Sequence, residues 1–424
     1  MNLEIKKTLQ ALVDQVLEYM SAGKLFARHQ TSIESPDDIN EVGIISIGKM
    51  GCAMAFEFAR LIDGPTLRGV VSDPYDNDVP RVDGISYFKG GHPYPNQDSL
   101  QAARAALELV AHLDENALVV FLVSGGGSAA FELPRTPLSL SEIQSAYRIL
   151  VESGAEIREI NTIRNALSQV KNGRLAAACE SRQKTFVISD VPGEQLGFVS
   201  SGPSISVSSE CRNPLEIIEL HQLRDKLPPP IIKALEFDAV NHRIIDDVLH
   251  NQDHPSLCLA SNDDAIAVAA QFCESLGWET SVVSDFDESD LETATRGLLE
   301  MLNGASNGLD RPRAVVAGGE VRCEVIGNGK GGRNQAFVMD CIRQIAGQNI
   351  AVLSFGTDGI DGNSDAAGAL ADGSSLHRCE DIGIDIETTR KQSNSNYLFS
   401  RLDDLILTGP TQINLRDVRV LVCW

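Results

Sequence analysis

An α/β protein is predicted: a parallel sheet flanked by helices in the amino-terminal part, then a second α/β unit. Short apolar runs of strand length alternate with longer segments of helical period, the pattern of βα units and a mostly parallel sheet. Four of the runs open into turns rich in glycine, serine and acids, LVVFLVSGGGS, TFVISDVPG, RAVVAGGE and IAVLSFGTDGIDG. Ligands collect at such strand ends in open α/β sheets. Three consecutive prolines in LPPPII, residues 227–232, suit neither a helix interior nor a central strand. A domain junction is therefore placed there, between a Rossmann-like unit at 1–230 and an α/β unit at 231–424.

In chain order, strands are expected at Val42–Ile47, Gly69–Ser72, Leu118–Val123, Thr185–Ser189 and Ser256–Ser261, then at Thr280–Ser284, Ala314–Ala317, Ile350–Ser354, Leu405–Leu407 and Val418–Val422. Helices fill most of the gaps. Gln97–Ala111 has an alanine-rich body with Asp98 or Ser99 as its cap. Glu156–Arg174 has helical period, with Asn161, Arg164, Ser168 and Lys171 on one polar stripe. Asn334–Ala346 reads as a further helix. The first twenty residues also have helical spacing, and the helix they form could pack on either domain.

Composition excludes several classes. A formal charge of −23 over 424 residues, with no basic stripe interleaved with aromatics, argues against nucleic-acid binding. Nine cysteines scattered without a C-x-x-C pair read as reduced packing residues, which favours the cytoplasm. No apolar stretch approaches the roughly 20 residues that span a bilayer. Eight histidines without ligand spacing argue against zinc.

Chemistry concentrates in the strand-end loops. In Ser124, Gly125, Gly126, Gly127 and Ser128, glycines let backbone N–H groups turn around an anion while the serines offer hydroxyls. A plain tight turn is the other reading of the same residues. GGGSAA also fits a loose dinucleotide pattern, but the ribose-binding acid about 20 residues on is missing. Lys49, in IGKMGCAMA, stands at a strand-to-helix turn and suits a carboxylate or phosphate, although the spacing departs from a P-loop. GNGKGGRNQ places Gly331, Gly332, Arg333 and Asn334 at a helix start, where the arginine fork and N–H donors suit a transferring phosphoryl group; Glu320 stands upstream in AGGE. Asp190, Glu194, Asp358 and Asp361 are the candidate magnesium ligands.

Taken in order, IGKMGCAMA, GGHPYPNQDSLQAARAAL, FLVSGGGSAA, EINTIRNALSQVKNGRLA, ISDVPGEQLGFVSSGPS, AGGEVRCEVIGNGKGGRNQA, TDGIDGNSDAAGA and LTGPTQINLRDV resemble the class II glycerate kinases, the family with a MOFRL carboxyl-terminal domain. The resemblance covers nearly the whole chain. It implies ATP- and magnesium-dependent phosphorylation of D-glycerate to 2-phosphoglycerate in an interdomain cleft, with a MOFRL region at about 310–420. By similarity, Lys49 and Arg333 match the family's functional lysine and arginine. Expected roles are Lys49, Arg333 and Asp190 in catalysis, with Asp190 as the base, and Lys49, Arg164 and Arg333 on the substrate. ATP is expected on Ser124 to Ser128, Lys171, Glu320, Gly331, Gly332 and Asn334, and the metal on Asp190, Asp358 and Asp361. The partner is a small molecule, with a homodimer as an open possibility.

The chain departs from the family at Asn96, Glu194, Ser204, Val321-Arg322, Ala336 and Gln412-Ile413. Arg322 and Ala336 flank the expected phosphate site and bear on which acceptor is used. Two rivals stay open: a hydroxypyruvate reductase using a nicotinamide cofactor, and a non-catalytic metabolite-binding paralogue.

Overall fold

The computed structural model describes residues 2–33, 38–193, 195–207, 213–237, 254–284, 290–304 and 311–424. The chain divides into two compact units, Phe26–Leu259 and a second formed by Met1–Leu25 with Ala260–Trp424.

The first unit carries strands β1 (Glu41–Ile47), β2 (Thr66–Asp73), β3 (Ile85–Lys89), β4 (Leu118–Ser124), β5 (Arg182–Ile188) and β6 (Ser256–Ala260), in the order β3-β2-β1-β4-β5-β6. The β1–β2, β2–β3, β1–β4 and β4–β5 pairs are parallel. This is the order of a doubly wound Rossmann-type sheet, with its switch point between β1 and β4. EVGIISI and LVVFLVS are apolar almost throughout because a central parallel strand is covered on both faces. β3, ISYFK, escapes the sequence reading: it is an edge strand whose residues are half-buried or exposed, so it lacks the apolar run.

The second unit carries β7 (Glu279–Val283), β8 (Arg313–Ala317), β9 (Ile350–Gly356), β10 (Gly368–Asp372), β11 (Leu405–Ile406) and β12 (Asp417–Cys423), in the order β11-β10-β9-β12-β8-β7. β7 and β8 are parallel, but β12 runs antiparallel to both β8 and β9, and β10 antiparallel to β9 and β11. The expectation of mostly parallel pairing holds for the first sheet and not for this one. β10, GALAD, was not expected as a strand because glycine and alanine carry little β signal. It is small because it must be: a Cβ at Gly368 would stand 1.9 Å from the Ser354 carbonyl oxygen.

The division between units differs from the expected junction at the prolines. Leu227, Ile231 and Ile232 are buried in one cluster with Tyr147, Leu150, Ile160 and Ile163, inside the first unit. Pro229 and Pro230 begin the helical stretch 229–237, where a missing N–H costs nothing. The first helix, Leu3–Tyr19, packs on the helix Asn262–Ser275 and belongs to the second unit. Its Lys6 reaches the buried carboxylate of Asp404 at 3.2 Å.

Two helices depart from their expected forms. Gln97–His112 is capped by Asn96, in a capping box with Ser99, rather than by Asp98 or Ser99. Asparagine and aspartate are comparable caps, so the family departure at Asn96 leaves the fold unchanged. The expected helix Glu156–Arg174 stops at Ala166, so Lys171 lies beyond it and not on a helical stripe. Among the described residues the cysteines are free, and no helix is long and apolar enough to cross a membrane.

Candidate active site

The switch point of the first sheet brings Lys49 and the glycine loop together. Gly48, at φ 110°, turns the chain out of β1, and the Lys49 N–H donates to the Gly125 carbonyl at 2.9 Å. A Cβ on Gly126, itself at φ 85°, would stand 2.8 Å from the Lys49 side chain. The half-buried Lys49 ammonium lies 5.7 Å from the centre of the Tyr75 ring.

Several of the loop's polar groups bond within the protein. The Ser124 hydroxyl donates to the Ile47 carbonyl and accepts from the Met50 N–H, both at 3.1 Å. The Gly127 N–H donates to the Ser200 hydroxyl at 2.8 Å, and the Ser128 hydroxyl pairs with that of Ser201 at 2.8 Å. A Cβ on Gly127 would meet Ser200 Oγ at 2.3 Å. In this structure Ser124, Gly127 and Ser128 bond within the protein, in a loop that closes on Ser200 and Ser201 and holds Lys49.

Lys171 is buried beneath this loop. Its ammonium pairs with Glu132 at 2.5 Å and donates to the carbonyl of Ser128; the Tyr147 hydroxyl also donates to Glu132. Burial lowers the Lys171 pKa against the pull of Glu132. Lys171 therefore supports the loop from behind. Arg164 stacks on Tyr147, its guanidinium carbon 4.7 Å from the ring centre. Asp190 is half-buried just past β5. Glu194 lies outside the described residues.

In the second unit, antiparallel pairing gathers the carboxyl ends of β8 and β9 with the amino end of β12, where Asp417 stands opposite Gly356. Arg333, the first residue of the helix Arg333–Gln344, donates from Nε to Asp417 Oδ2 at 2.6 Å and from Nη2 to Asp417 Oδ1 at 3.0 Å. Nη2 also bonds Glu320 Oε1 at 2.7 Å. Burial opposes the arginine's charge, but Asp417, Glu320 and Asp361 outweigh it and hold its pKa above the ordinary value. Behind Asp417, the fully buried Arg419 donates to Asp417 Oδ2 and to the carbonyls of Gly318 and Gly319 at 2.9–3.0 Å. Asn334 adds a bond to Asp417 Oδ1 at 3.0 Å and accepts one from Ser354 at 2.6 Å. Burial would raise the Asp417 carboxyl; Arg333 and Arg419 bring it below the usual range.

Asp417 and Arg419 were missed by the sequence reading, which searched carboxyl ends of strands. Their signal was an acid and a base two apart in RDVRVLV, one face of a strand where apolar residues would be expected.

Asp361, expected on the metal, caps the same helix. Its Oδ1 accepts the Asn334 N–H at 3.0 Å, and its Oδ2 accepts the Gln335 N–H and side-chain amide at 2.9 Å each. A Cβ on Gly332 would stand 2.3 Å from Asp361 Oδ1, so the close approach needs glycine there. Gly331 likewise lies against Ser395 Oγ, 2.1 Å from where its Cβ would be. Burial pushes the Asp361 carboxyl up to about 6, against those hydrogen bonds. With both oxygens committed to N–H donors, it fits a cap better than a cation. Asp358 is half-buried and accepts the Ile360 N–H at 3.1 Å in a local turn. Among the described residues no group of three or more His, Cys, Asp or Glu side chains is placed to hold a metal. Of the two family departures flanking this region, Arg322 is exposed and Ala336 half-buried in the helix.

The acid that closes β2 bears on a nicotinamide site, because a ribose is bound at that place in dinucleotide folds. It is Asp73, and it is occupied: it accepts the Cys52 N–H at 3.1 Å and the Tyr75 N–H at 2.9 Å.

Residues 8–236 match the family described as a domain of unknown function, DUF4147, and residues 313–417 match the MOFRL family. The glycerate 2-kinase of Pyrococcus horikoshii is 30% identical over 389 residues, covering 90% of this chain and 87% of that protein. The D-glycerate 2-kinase of Thermotoga maritima is 31% identical over 387 residues, covering 90% of each. A protein of Agrobacterium vitis, provisionally named hydroxypyruvate reductase, is 32% identical, covering 89% of this chain and 98% of the relative. The crystal structure of a Thermotoga maritima glycerate kinase superposes with a TM-score of 0.84 at 28% identity, covering 99% of this chain and 100% of that one. Matching sequence motifs, both domain families and whole-chain structural likeness agree: the chain belongs to the glycerate 2-kinase family, with a DUF4147 domain followed by a MOFRL domain.

Proposed function

We infer that this protein is a glycerate 2-kinase, transferring a phosphoryl group from ATP to D-glycerate to give 2-phosphoglycerate. The observation that carries the mechanism is a cation in each of two glycine-rich loops, Lys49 just after β1 and Arg333 at a helix start after Gly331-Gly332. Phosphoryl transfer needs little covalent help from a protein; it needs positioning and neutralisation of the charge on the moving group. Lys49 and Arg333 supply that charge, with Arg164 a further anchor for the acceptor's carboxylate. Asp190 takes the proton from the glycerate hydroxyl as its oxygen attacks. Asp358, a half-buried oxygen donor in a strand-end turn, suits magnesium, which would neutralise the nucleotide phosphates when bound.

Occupation of Asp73 by backbone N–H groups favours the kinase over a nicotinamide-dependent reductase. ADP release measured with ATP, magnesium and D-glycerate tests the choice. Turnover is expected with glycerate, and with no change in NADH absorbance when hydroxypyruvate is supplied instead. NADH oxidation without ADP formation overturns the assignment.

A further inference from the structure

The two carboxylates on Arg333 are not equivalent. Asp417 is fully buried, grips Nε and Nη2 at two points, and is backed by Arg419 and Asn334. Glu320 makes one bond to Nη2 and is 42% exposed. Among the described residues Nη1 has no hydrogen-bond partner, and the arginine side chain is 36% exposed.

We propose that Asp417 is the positioning residue of this site, fixing the plane of the Arg333 guanidinium, while Glu320 is an exchangeable partner that an incoming phosphate oxygen displaces. A two-point grip on Nε and Nη2 removes rotation about the last side-chain bond, leaving the other edge of the fork directed outward. Arg419 keeps Asp417 ionised and ties it to the Gly318 and Gly319 carbonyls, so the loop carrying Glu320 and the guanidinium share one support. Exchange of Glu320 keeps one carboxylate on Arg333 throughout, and the phosphate replaces the weaker, wetter contact. Buried Asp417 cannot be the one displaced, since that would leave Arg419 facing an unpaired site.

The proposal rests on the catalytic role given to Arg333, and the test separates the two. Steady-state kcat and KM for ATP are measured for Arg333→Ala, Arg333→Lys, Asp417→Asn, the Arg333→Ala/Asp417→Asn pair and Glu320→Gln. Asp417→Asn should lower kcat by roughly tenfold to a hundredfold, the scale of misplacing a catalytic group. The double variant should be no slower than Arg333→Ala alone, because Asp417 acts through the arginine. Arg333→Lys keeps the charge without the fork and should approach Arg333→Ala; this variant leaves the buried carboxylate intact and serves if Asp417→Asn fails to fold. Glu320→Gln should lower KM for ATP. Impaired Arg333→Ala with additive losses in the double variant, or near-normal kcat in Arg333→Lys, overturns the positioning role alone. Raised KM in Glu320→Gln overturns the exchange. Normal turnover in Arg333→Ala overturns the proposal together with the reading beneath it.

Discussion

Replacing Asp361 with asparagine separates a helix cap from a metal ligand. The side chain is 2% exposed, and two backbone N–H groups, of Asn334 and Gln335, each take one of its oxygens at 3.0 and 2.9 Å. Asparagine offers one oxygen, so whichever way the amide turns, one backbone N–H faces an NH2 group. A buried donor left without an acceptor costs about 1–3 kcal/mol; the negative charge adds nothing to that, because burial holds the carboxyl up at about 6. The expected loss is about 1–3 kcal/mol, which for a unit of this size lowers Tm by roughly 2–12 °C. Urea and thermal unfolding followed by circular dichroism, at a pH near ~7.5 where a carboxyl of about 6 is ionised, measure it directly. The deficit should be the same with EDTA as with magnesium. Stability within about 0.5 kcal/mol of the unsubstituted protein, or a deficit seen only with magnesium, refutes the cap and returns Asp361 to the metal.

Four further outcomes are expected. Lys49→Ala should fold normally yet lose on the order of a hundredfold in kcat, checked by ADP release beside circular dichroism. Lys171→Met should cost about 3–5 kcal/mol in urea unfolding, because it strands Glu132 as a buried charge at 0% exposure; a loss of activity without a loss of stability would return Lys171 to the nucleotide. Activity should vanish with a chelator, and Asp358→Asn should raise the magnesium concentration at half-maximal rate. Finally, Arg333 and Arg419 hold the Asp417 carboxyl below its unfolded value, so the stability it contributes is complete above about pH 4 and is lost as pH falls through the folded value. The stability gap between the unsubstituted protein and Asp417→Asn should therefore narrow in acid, as read from unfolding free energies across that range.

Much of this molecule follows from local pattern. The central strands β1, β4, β8 and β9 are buried on both faces, so their apolar runs show directly in the sequence, and Gly48-Lys49 and Gly331–Arg333 stand where a chain leaving a strand or starting a helix must turn. Edge strand β3 and the glycine-alanine strand β10 carry no such run, because one is half-exposed and the other is shaped by close backbone approach.

What the tertiary structure decided is how polar groups are shared. Ser124, Gly127, Ser128, Lys171 and Asp361 have residue types that suit a phosphate or a metal, and no local signal distinguishes that use from internal hydrogen bonding. Their partners Ser200, Ser201, Glu132 and the Asn334 N–H lie between 27 and 76 residues away along the chain. Asp417 illustrates the same point from the other side. Its place beside Arg333, 84 residues earlier, exists only because β12 runs antiparallel to β8 and β9, which sets the start of one strand beside the ends of two others. Strand direction is a property of the assembled sheet, whereas the apolar period that makes a strand is a property of the segment alone.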